Sequence, residues 1–235
     1  MPGSWIAQLY PEVASVGSLA AALRESAERH GLDLDVITAA SGGPTSALVA
    51  KADRVATVQM GSQERWFIIQ LRVTGVCLSM GSSPDLDVTA GVLHSWCSGA
   101  TLTDLHQRYA FMHVGELALA YEAGTEVEAK WRLLREDATG DIRLAVEAAA
   151  ARPVLRGLFP FLSHQTLRFS RCTAYPYSLD VSCIQPLGGN SFRVVTPDGT
   201  FAAADVTAEE AVAVVVSQLP PDCGPAVPGT ARDLT

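Results

Sequence analysis

The sequence predicts an α+β fold built mainly from antiparallel β-meanders, each of which is followed by a helix. Three observations support this class: short strand-like segments follow one another through turns, few helices separate them, and a capped helix follows each group. Antiparallel strands need only a short turn, whereas parallel strands need a long crossover, so this spacing favours antiparallel pairing. The chain has 235 residues, 48% of them hydrophobic and 18% charged, which is typical of a folded globule.

The first meander begins after a helix at residues 19–30, which Ser18 caps and Gly31 ends. LDLDVIT (32–38) alternates apolar residues with aspartate, as a half-buried strand does, and SGGPTS (41–46) is a loop. Three further strands are predicted at RVATVQM (54–60), RWFIIQLRV (65–73) and VCLSM (76–80).

A run of helices follows. Ser83 and Pro84 occupy the predicted N-cap and N1 positions of a helix that ends at Gly99. Thr101 to Asp104 is the cap of a second, short helix. Apolar residues at a 3.6-residue spacing predict one amphipathic helix over 113–136. Helices at 141–151 and from Pro153 to Gly157 complete the set.

The C-terminal third contains a second meander. Its capping box, Thr207 and Glu210, starts a final helix, and the Pro- and Gly-rich tail at 220–234 is expected to lie along the surface without regular structure. The predicted strands are LRFSRCTAY (167–175), LDVSCIQP (179–186), SFRVVT (191–196) and TFAAADV (200–206).

We therefore predict a single α+β domain over residues 1–235. Within it, two similar halves at 15–100 and 160–220 are joined by a helical connection at 101–158. Each half is a meander followed by a helix, one ending near residue 98 and the other near 219. Duplication of one unit and independent recurrence of a common arrangement both explain this pattern, so both interpretations stay open.

Charge and composition exclude several partners. The formal net charge is −8 and no basic block is present, which argues against a nucleic-acid surface. No apolar run approaches the ~20 residues that span a bilayer, and the first residues lack the pattern of a secretory signal, so no membrane partner is expected. Five cysteines without C-x-x-C spacing indicate free thiols in a reducing cytoplasm.

Motifs for common cofactors are absent from the sequence. It has no G-x-G-x-x-G, Walker loop, G-x-S-x-G or H-E-x-x-H, so no cofactor is expected. His113 and Glu116 stand at i, i+3 on the predicted 113–136 helix, but a carboxylate-bridged metal site needs such pairs on two helices. No metal site is therefore predicted. Cys97, one helical turn from His94, is better explained as a small buried residue than as a nucleophile.

The strongest candidate site is FPFLSHQTLRFSRCTAYPYS, residues 159–178. As a strand, 167–175 places arginines on both faces, which suits a sheet edge or a cavity wall. Arginine captures carboxylate or phosphate in a bidentate manner, and tyrosine offers an apolar wall with a hydroxyl tip. The predicted substrate-binding residues are Arg168, Arg171, Ser163 and Ser170, and the predicted catalytic residues are His164, Tyr175 and Tyr177.

A structural interpretation of the same segment stays open. In it, these polar groups form a hydrogen-bonded corner that satisfies the loop backbone around Pro160 and Pro176.

The segments ARPVLRGLFPFLSHQTLRFSRCTAYPYS (151–178) and PPDCGPAVPGTARDL (220–234) resemble a family of actinobacterial proteins, DUF6193. The resemblance covers most of the chain, and LFPFLSH, LRFSR and YPYS carry it. It implies a cytoplasmic role in natural-product biosynthesis, and no catalytic residues are transferred from it.

Two functions are compatible with these observations. One is a cofactor-independent tailoring enzyme or cyclase that acts on a small-molecule or peptide intermediate, with positioned donors and an acid–base residue. The alternative is a non-catalytic binding or chaperone-like module that serves a biosynthetic partner. A deep pocket lined by the candidate residues would favour the enzyme, and a shallow apolar groove would favour the module. Whether the chain forms a homodimer stays open.

Overall fold

The computed structural model describes residues 4–38 and 43–234 and contains two compact units, Met1–Glu122 and Ala123–Thr235. Each unit has its own antiparallel sheet, of six strands in the first and five in the second. The predicted α+β class is therefore confirmed. The boundary between the units falls within residues 101–158, where the sequence predicted a helical connection.

The first unit folds as helices, a meander and further helices. Its sheet has the order β1-β2-β3-β4-β5-β6, so every strand pairs antiparallel with its neighbour in sequence. The elements are α1 (Ser4–Leu9), α2 (Pro11–Val16), α3 (Leu19–Arg29), β1 (Val36–Thr38), β2 (Ser46–Lys51), β3 (Arg54–Met60), β4 (Phe67–Val73), β5 (Val76–Ser83), α4 (Leu86–Cys97), α5 (Leu102–Arg108), β6 (His113–Val114) and α6 (Glu116–Ala123).

Local caps fix several of these helices as predicted. The Ser18 hydroxyl accepts a hydrogen bond from the Ala21 amide, and Thr101 does the same for Asp104, so two predicted N-caps are confirmed. The cap of α4 was misassigned. Asp85 is its N-cap and accepts from the backbone N–H groups of the first turn, while the Ser83 hydroxyl accepts from the Asp85 amide.

Three further predictions that involve the first unit differ from the structure. The sequence predicted one helix over 113–136, but Gly124, with φ +70°, separates α6 from the next helix, and His113 lies in β6. His113 and Glu116 therefore do not share a helix. The strand at 32–38 is shorter than predicted, and β2 was not predicted at all. Part of the predicted loop at 41–46 lies outside the described residues; Gly43–Thr45 form a 3₁₀ turn.

The second unit repeats the order of helices, meander and helix. Its sheet has the order β11-β10-β9-β8-β7, again antiparallel throughout. The elements are α7 (Glu126–Asp137), α8 (Asp141–Ala150), α9 (Pro153–Arg156), β7 (Phe159–Ser163), β8 (Thr166–Ser170), β9 (Cys183–Gly188), β10 (Ser191–Val195), β11 (Phe201–Val206) and α10 (Ala208–Ser217). The capping box of Thr207 and Glu210 is present at the start of α10.

One face of each sheet packs against helices and forms a core. In the second unit this core contains Leu167, Phe169, Ile184, Phe192 and Val194 from the strands, together with apolar residues of α7, α8 and α10. In the first unit it contains apolar residues of β2 to β5 with those of α3 and α4. Because side chains alternate along a strand, the intervening residues point to the opposite face of each sheet. None of the helices within the described residues is both long and apolar enough to cross a membrane.

Candidate functional site

The strand that carries the candidate arginines is shorter than predicted. β8 ends at Ser170, so the alternation that was predicted over 167–175 stops there. Arg168 lies inside β8 between the core residues Leu167 and Phe169, and it therefore points to the face opposite the helices. Arg171 lies beyond the strand, which is why the expected pair of arginine-bearing faces does not exist.

Ser170 and Arg171 belong to a hydrogen-bonded corner. The buried Ser170 hydroxyl accepts from the amides of Cys172 and Ser178, at 3.1 Å each, and donates to the Cys172 carbonyl at 2.7 Å. The Ser178 hydroxyl in turn accepts from the Arg171 amide at 2.8 Å. These bonds satisfy the backbone where the chain leaves β8, as the structural interpretation of the segment expected.

The Arg171 side chain is held by two carboxylates. Its guanidinium donates to Asp180 at 2.9 Å and to Asp222 at 3.0 Å. The hydrogen bond to Asp180 is the main reason that the pKa of Arg171 is raised above its usual value. Because Asp222 belongs to the C-terminal tail, Arg171 connects the corner to the tail.

The tail has little regular structure, as expected, but backbone hydrogen bonds attach it to the corner. Backbone hydrogen bonds join Thr173 to Val227 and Ala174 to Gly229, at 3.1 and 2.7 Å. Val227 also donates to the Arg171 carbonyl at 3.0 Å. The tail thus extends the corner as a short parallel pairing.

The predicted catalytic residues lie in two places. His164 and Gln165, both with positive φ, form the two-residue turn between β7 and β8, and the exposed His164 ring contacts the Ser163 hydroxyl at 3.3 Å. Tyr177 instead packs on Phe161, with ring centroids 4.5 Å apart, and lies 6.0 Å from Tyr175. His164 follows the end of β7 and is three residues from Phe161, which is roughly 10 Å in extended chain. His164 is therefore separated from the tyrosines.

The two tyrosines differ in their surroundings. Tyr175 is 78% exposed, whereas Tyr177 is half-buried. Burial is the main reason that the pKa of Tyr177 is raised above its usual value. The peptide bond between Tyr175 and Pro176 is cis.

Arg168 lies in a different environment from Arg171. Pairing places it opposite Phe161 on β7, and because Leu167 pairs with Ile184, its neighbour on β9 is Cys183. Cys183 pairs with Val195, and Val195 with Phe201. We call this surface, with the adjacent pair Gln185 and Arg193, the arginine face: it comprises Phe161, Arg168, Cys183, Gln185, Arg193, Val195 and Phe201.

The arginine face holds two cations of unequal freedom. Arg193 donates from Nε to Gln185 at 2.7 Å, and its guanidinium lies 4.9 Å from the centre of the Phe201 ring. Arg168 is half-buried and makes no hydrogen bond or ion pair within residues 4–38 and 43–234. The positive charge of Arg168 is thus left for a partner that the chain does not supply in its described part.

Besides burial, both arginines affect the pKa of the Cys183 thiol, so both lie close to it. Burial raises the pKa of its thiol above the usual value, and the charges of Arg168 and Arg193 act in the opposite direction. The thiol is therefore a neutral group near two guanidiniums. Cys97 in the first unit is also buried, and burial raises the pKa of its thiol, consistent with the structural role expected for it.

Sequence reasoning found one residue of the arginine face and missed most of the others. Cys183, Gln185, Arg193 and Phe201 come from three other strands, and which residues lie side by side depends on register. In the sequence, the position of Arg193 between the apolar residues Phe192 and Val194 was the signal that it lies on the face opposite the core. No group of three or more histidine, cysteine or acidic residues suited to a metal ion occurs in the part of the chain that the structure describes.

Comparisons with known proteins give one match. No curated protein and no solved structure matches the chain. One family is similar to part of the chain, whereas the sequence led us to expect similarity over most of it. The similar part lies within the second unit and includes every residue of the arginine face. Residues 125–230 match the model of DUF6193, a family of unknown function.

Proposed function

We propose that this chain is a small-molecule-binding module of a specialised-metabolite pathway in the cytoplasm, and that the arginine face holds a carboxylate group of its ligand. One observation carries the proposal: Arg168 is a half-buried guanidinium without a hydrogen-bond or ion-pair partner among the described residues. A half-buried charge is costly to leave unpaired, so a function that supplies a partner explains its presence.

The surroundings of Arg168 suit a ligand with an apolar portion. Phe161 lies beside it and stacks on Tyr177, and Phe201 is 62% exposed at the other end of the arginine face. Aromatic rings next to guanidinium groups favour an aryl or alkyl carboxylate over a bare inorganic anion, because both parts of the ligand then find contacts.

The chemistry of the arginine face supports binding better than catalysis. None of its defining side chains is a carboxylate or an imidazole, and the Cys183 thiol is a poor nucleophile because its pKa is raised. His164 lies at the hairpin turn, away from this row. Arg171 and Ser170 are engaged in the corner. The alternative of a non-catalytic module is therefore the hypothesis that these contacts favour.

A matched pair of probes tests the binding mode. N-acetylphenylalanine carries the carboxylate, and N-acetylphenylalanine amide has the same ring without the charge. We expect calorimetric titration at low salt to give saturable binding of the acid and at least tenfold weaker binding of the amide, since about 1.4 kcal/mol corresponds to a factor of ten. Equal affinities, or no saturable binding of the acid, would contradict the proposal.

Substitutions test whether Arg168 is the residue that binds the carboxylate of the acid. Arg168→Met should weaken binding of the acid about tenfold while leaving the melting temperature unchanged or raised, because no hydrogen bond or ion pair among the described residues is lost. Arg143→Met is the matched control: Arg143 is exposed on α8, on the helix-covered side of the sheet, and its loss should leave the affinity unchanged. An equal effect of the two changes would indicate general electrostatic attraction.

The pathway role needs a test in the producing cell. After deletion of the gene, a module should lower the yield of the final metabolite without accumulation of one unmodified intermediate. Accumulation of a single intermediate, which the purified protein then converts, would instead support the tailoring enzyme.

A further inference from the structure

The first unit has a groove on the sheet face that points away from α3 and α4. Its floor and walls are apolar, formed by Trp66, Ile68, Met80 and Phe111, and its volume is about 630 Å³. A second, adjoining concavity shares Trp66, Ile68 and Ser82 and extends along the loop between β3 and β4 to Glu64. We call these two concavities together the Trp66 groove. A volume of this size accommodates a small molecule.

The buried Tyr10 holds the loop that forms the polar end of the Trp66 groove. The hydroxyl of the fully buried Tyr10 lies 2.9 to 3.0 Å from the carbonyl oxygens of Gly61, Glu64 and Trp66, and it accepts from the Trp66 amide at 2.8 Å. Gly61 and Trp66 also pair through their backbones. Trp66 and Glu64 are therefore positioned before any ligand arrives, which lowers the entropic cost of binding.

The charge of the groove has one sign. Among the described residues that line it there is no lysine or arginine, and Glu64 is the carboxylate. Arg65, in the same loop, is directed elsewhere and forms an ion pair with Glu12 at 2.6 Å. His113 lines the other end of the groove. The groove thus complements a cation.

Trp66 and Glu64 act together on such a cation. The indole N–H donates to Glu64 Oε2 at 3.1 Å, while Glu64 Oε1 accepts no hydrogen bond from any residue that the structure describes. A carboxylate at the N–H edge increases the negative potential on the indole face, and this face attracts ammonium groups. The same ligand can direct an apolar body onto Ile68, Met80 and Phe111.

From this geometry we propose that the Trp66 groove binds an apolar small molecule that carries a primary ammonium group. The ammonium contacts Glu64 Oε1 and the face of Trp66, and the apolar body lies along Ile68 and Met80. This site is separate from the arginine face, and its test does not depend on the function proposed above.

Two probes of one shape test the site at pH 8: 3-phenylpropylammonium and 3-phenylpropanol. In calorimetric titration of the full chain, the ammonium should bind at least fivefold tighter than the alcohol, as expected for a carboxylate and one aromatic face. An ammonium that binds no tighter than the alcohol, or that does not saturate, overturns the proposal.

Variants then assign the contacts. Glu64→Gln should weaken ammonium binding about fivefold and leave alcohol binding unchanged, since it removes the charge and keeps the shape. Glu25→Gln, at an exposed position of α3, is the control and should change neither. Trp66→Leu should weaken both ligands; should this variant unfold, Glu64→Gln decides alone, because Glu64 is exposed. Retention of full ammonium affinity in Glu64→Gln would refute the assignment.

Discussion

Ser170→Ala should be the most damaging small change in the corner that follows β8. The hydroxyl is fully buried and takes part in three backbone hydrogen bonds, two as acceptor and one as donor. Removing it leaves the amides of Cys172 and Ser178 and one carbonyl without this partner. At about 1 kcal/mol for each group, the lower end of the usual range, the loss is about 3 kcal/mol.

Amide hydrogen exchange is the suitable assay, because it reports on the corner itself. The Cys172 and Ser178 amides should exchange at least a hundredfold faster in Ser170→Ala, since about 3 kcal/mol corresponds to a factor of more than one hundred. Ser163→Ala is the matched control: its hydroxyl contacts the exposed His164 ring, and we expect a change below about 0.5 kcal/mol. Unchanged protection of both amides would refute the claim that this hydroxyl holds the corner.

Two further changes test the first unit. Gly81→Ala should destabilise it by about 1–3 kcal/mol in urea unfolding, because a Cβ at this position would lie 2.6 Å from both the Met112 sulfur and the Phe111 carbonyl oxygen; unfolding at the native urea midpoint would contradict this. The hydrogen bond from Ser26 is the main reason that the pKa of Asp87 is lowered, with His30 and Arg29 adding to it. Its contribution to stability is therefore complete above about pH 4 and is lost as the pH falls through the lowered pKa, so Asp87→Asn should reduce the acid sensitivity of the melting temperature. An unchanged pH profile would exclude this role for Asp87.

Features that depend on neighbouring residues were predictable from the sequence. The caps at Ser18, Thr101 and Thr207 need one hydroxyl and an amide three residues away, so the local pattern suffices. The strand at residues 54–60 was also found with its observed bounds. These signals, together with the short turns, were sufficient for the α+β class.

Features that depend on competition between distant groups were not predictable. A glycine inside an amphipathic pattern costs a helix only about 1 kcal/mol, so the pattern over 113–136 concealed the break at Gly124. The end of β8 at Ser170 depends on bonds to Ser178 and on the tail, which are not visible in the strand itself. The arginine face required the register of four strand pairs, and a shift of one residue in any pair would change its members.

Arg168 and Arg171 are three residues apart, and their different roles follow from the point where β8 ends. Arg168 is still inside the ladder, so alternation directs it to the open face, where the described residues offer it no acid. β8 ends at Ser170, where the hydroxyl makes the hydrogen bonds to backbone groups that a further strand pair would have made, and the chain turns. The Arg171 guanidinium, beyond this turn, forms ion pairs with Asp180 and Asp222.

We therefore expect the two arginines to have different effects on stability. The Oδ1 atom of Asp180 is buried and accepts no hydrogen bond from the described residues. Removing Arg171 would also take away the partner of Asp180 Oδ2, so we expect this change to destabilise the second unit. Removing Arg168 breaks no internal bond among the described residues and relieves the desolvation of a half-buried charge. A half-buried charge that makes no hydrogen bond or ion pair among the described residues, next to Phe161 in a chain of net charge −8, supports the ligand that we propose for the arginine face.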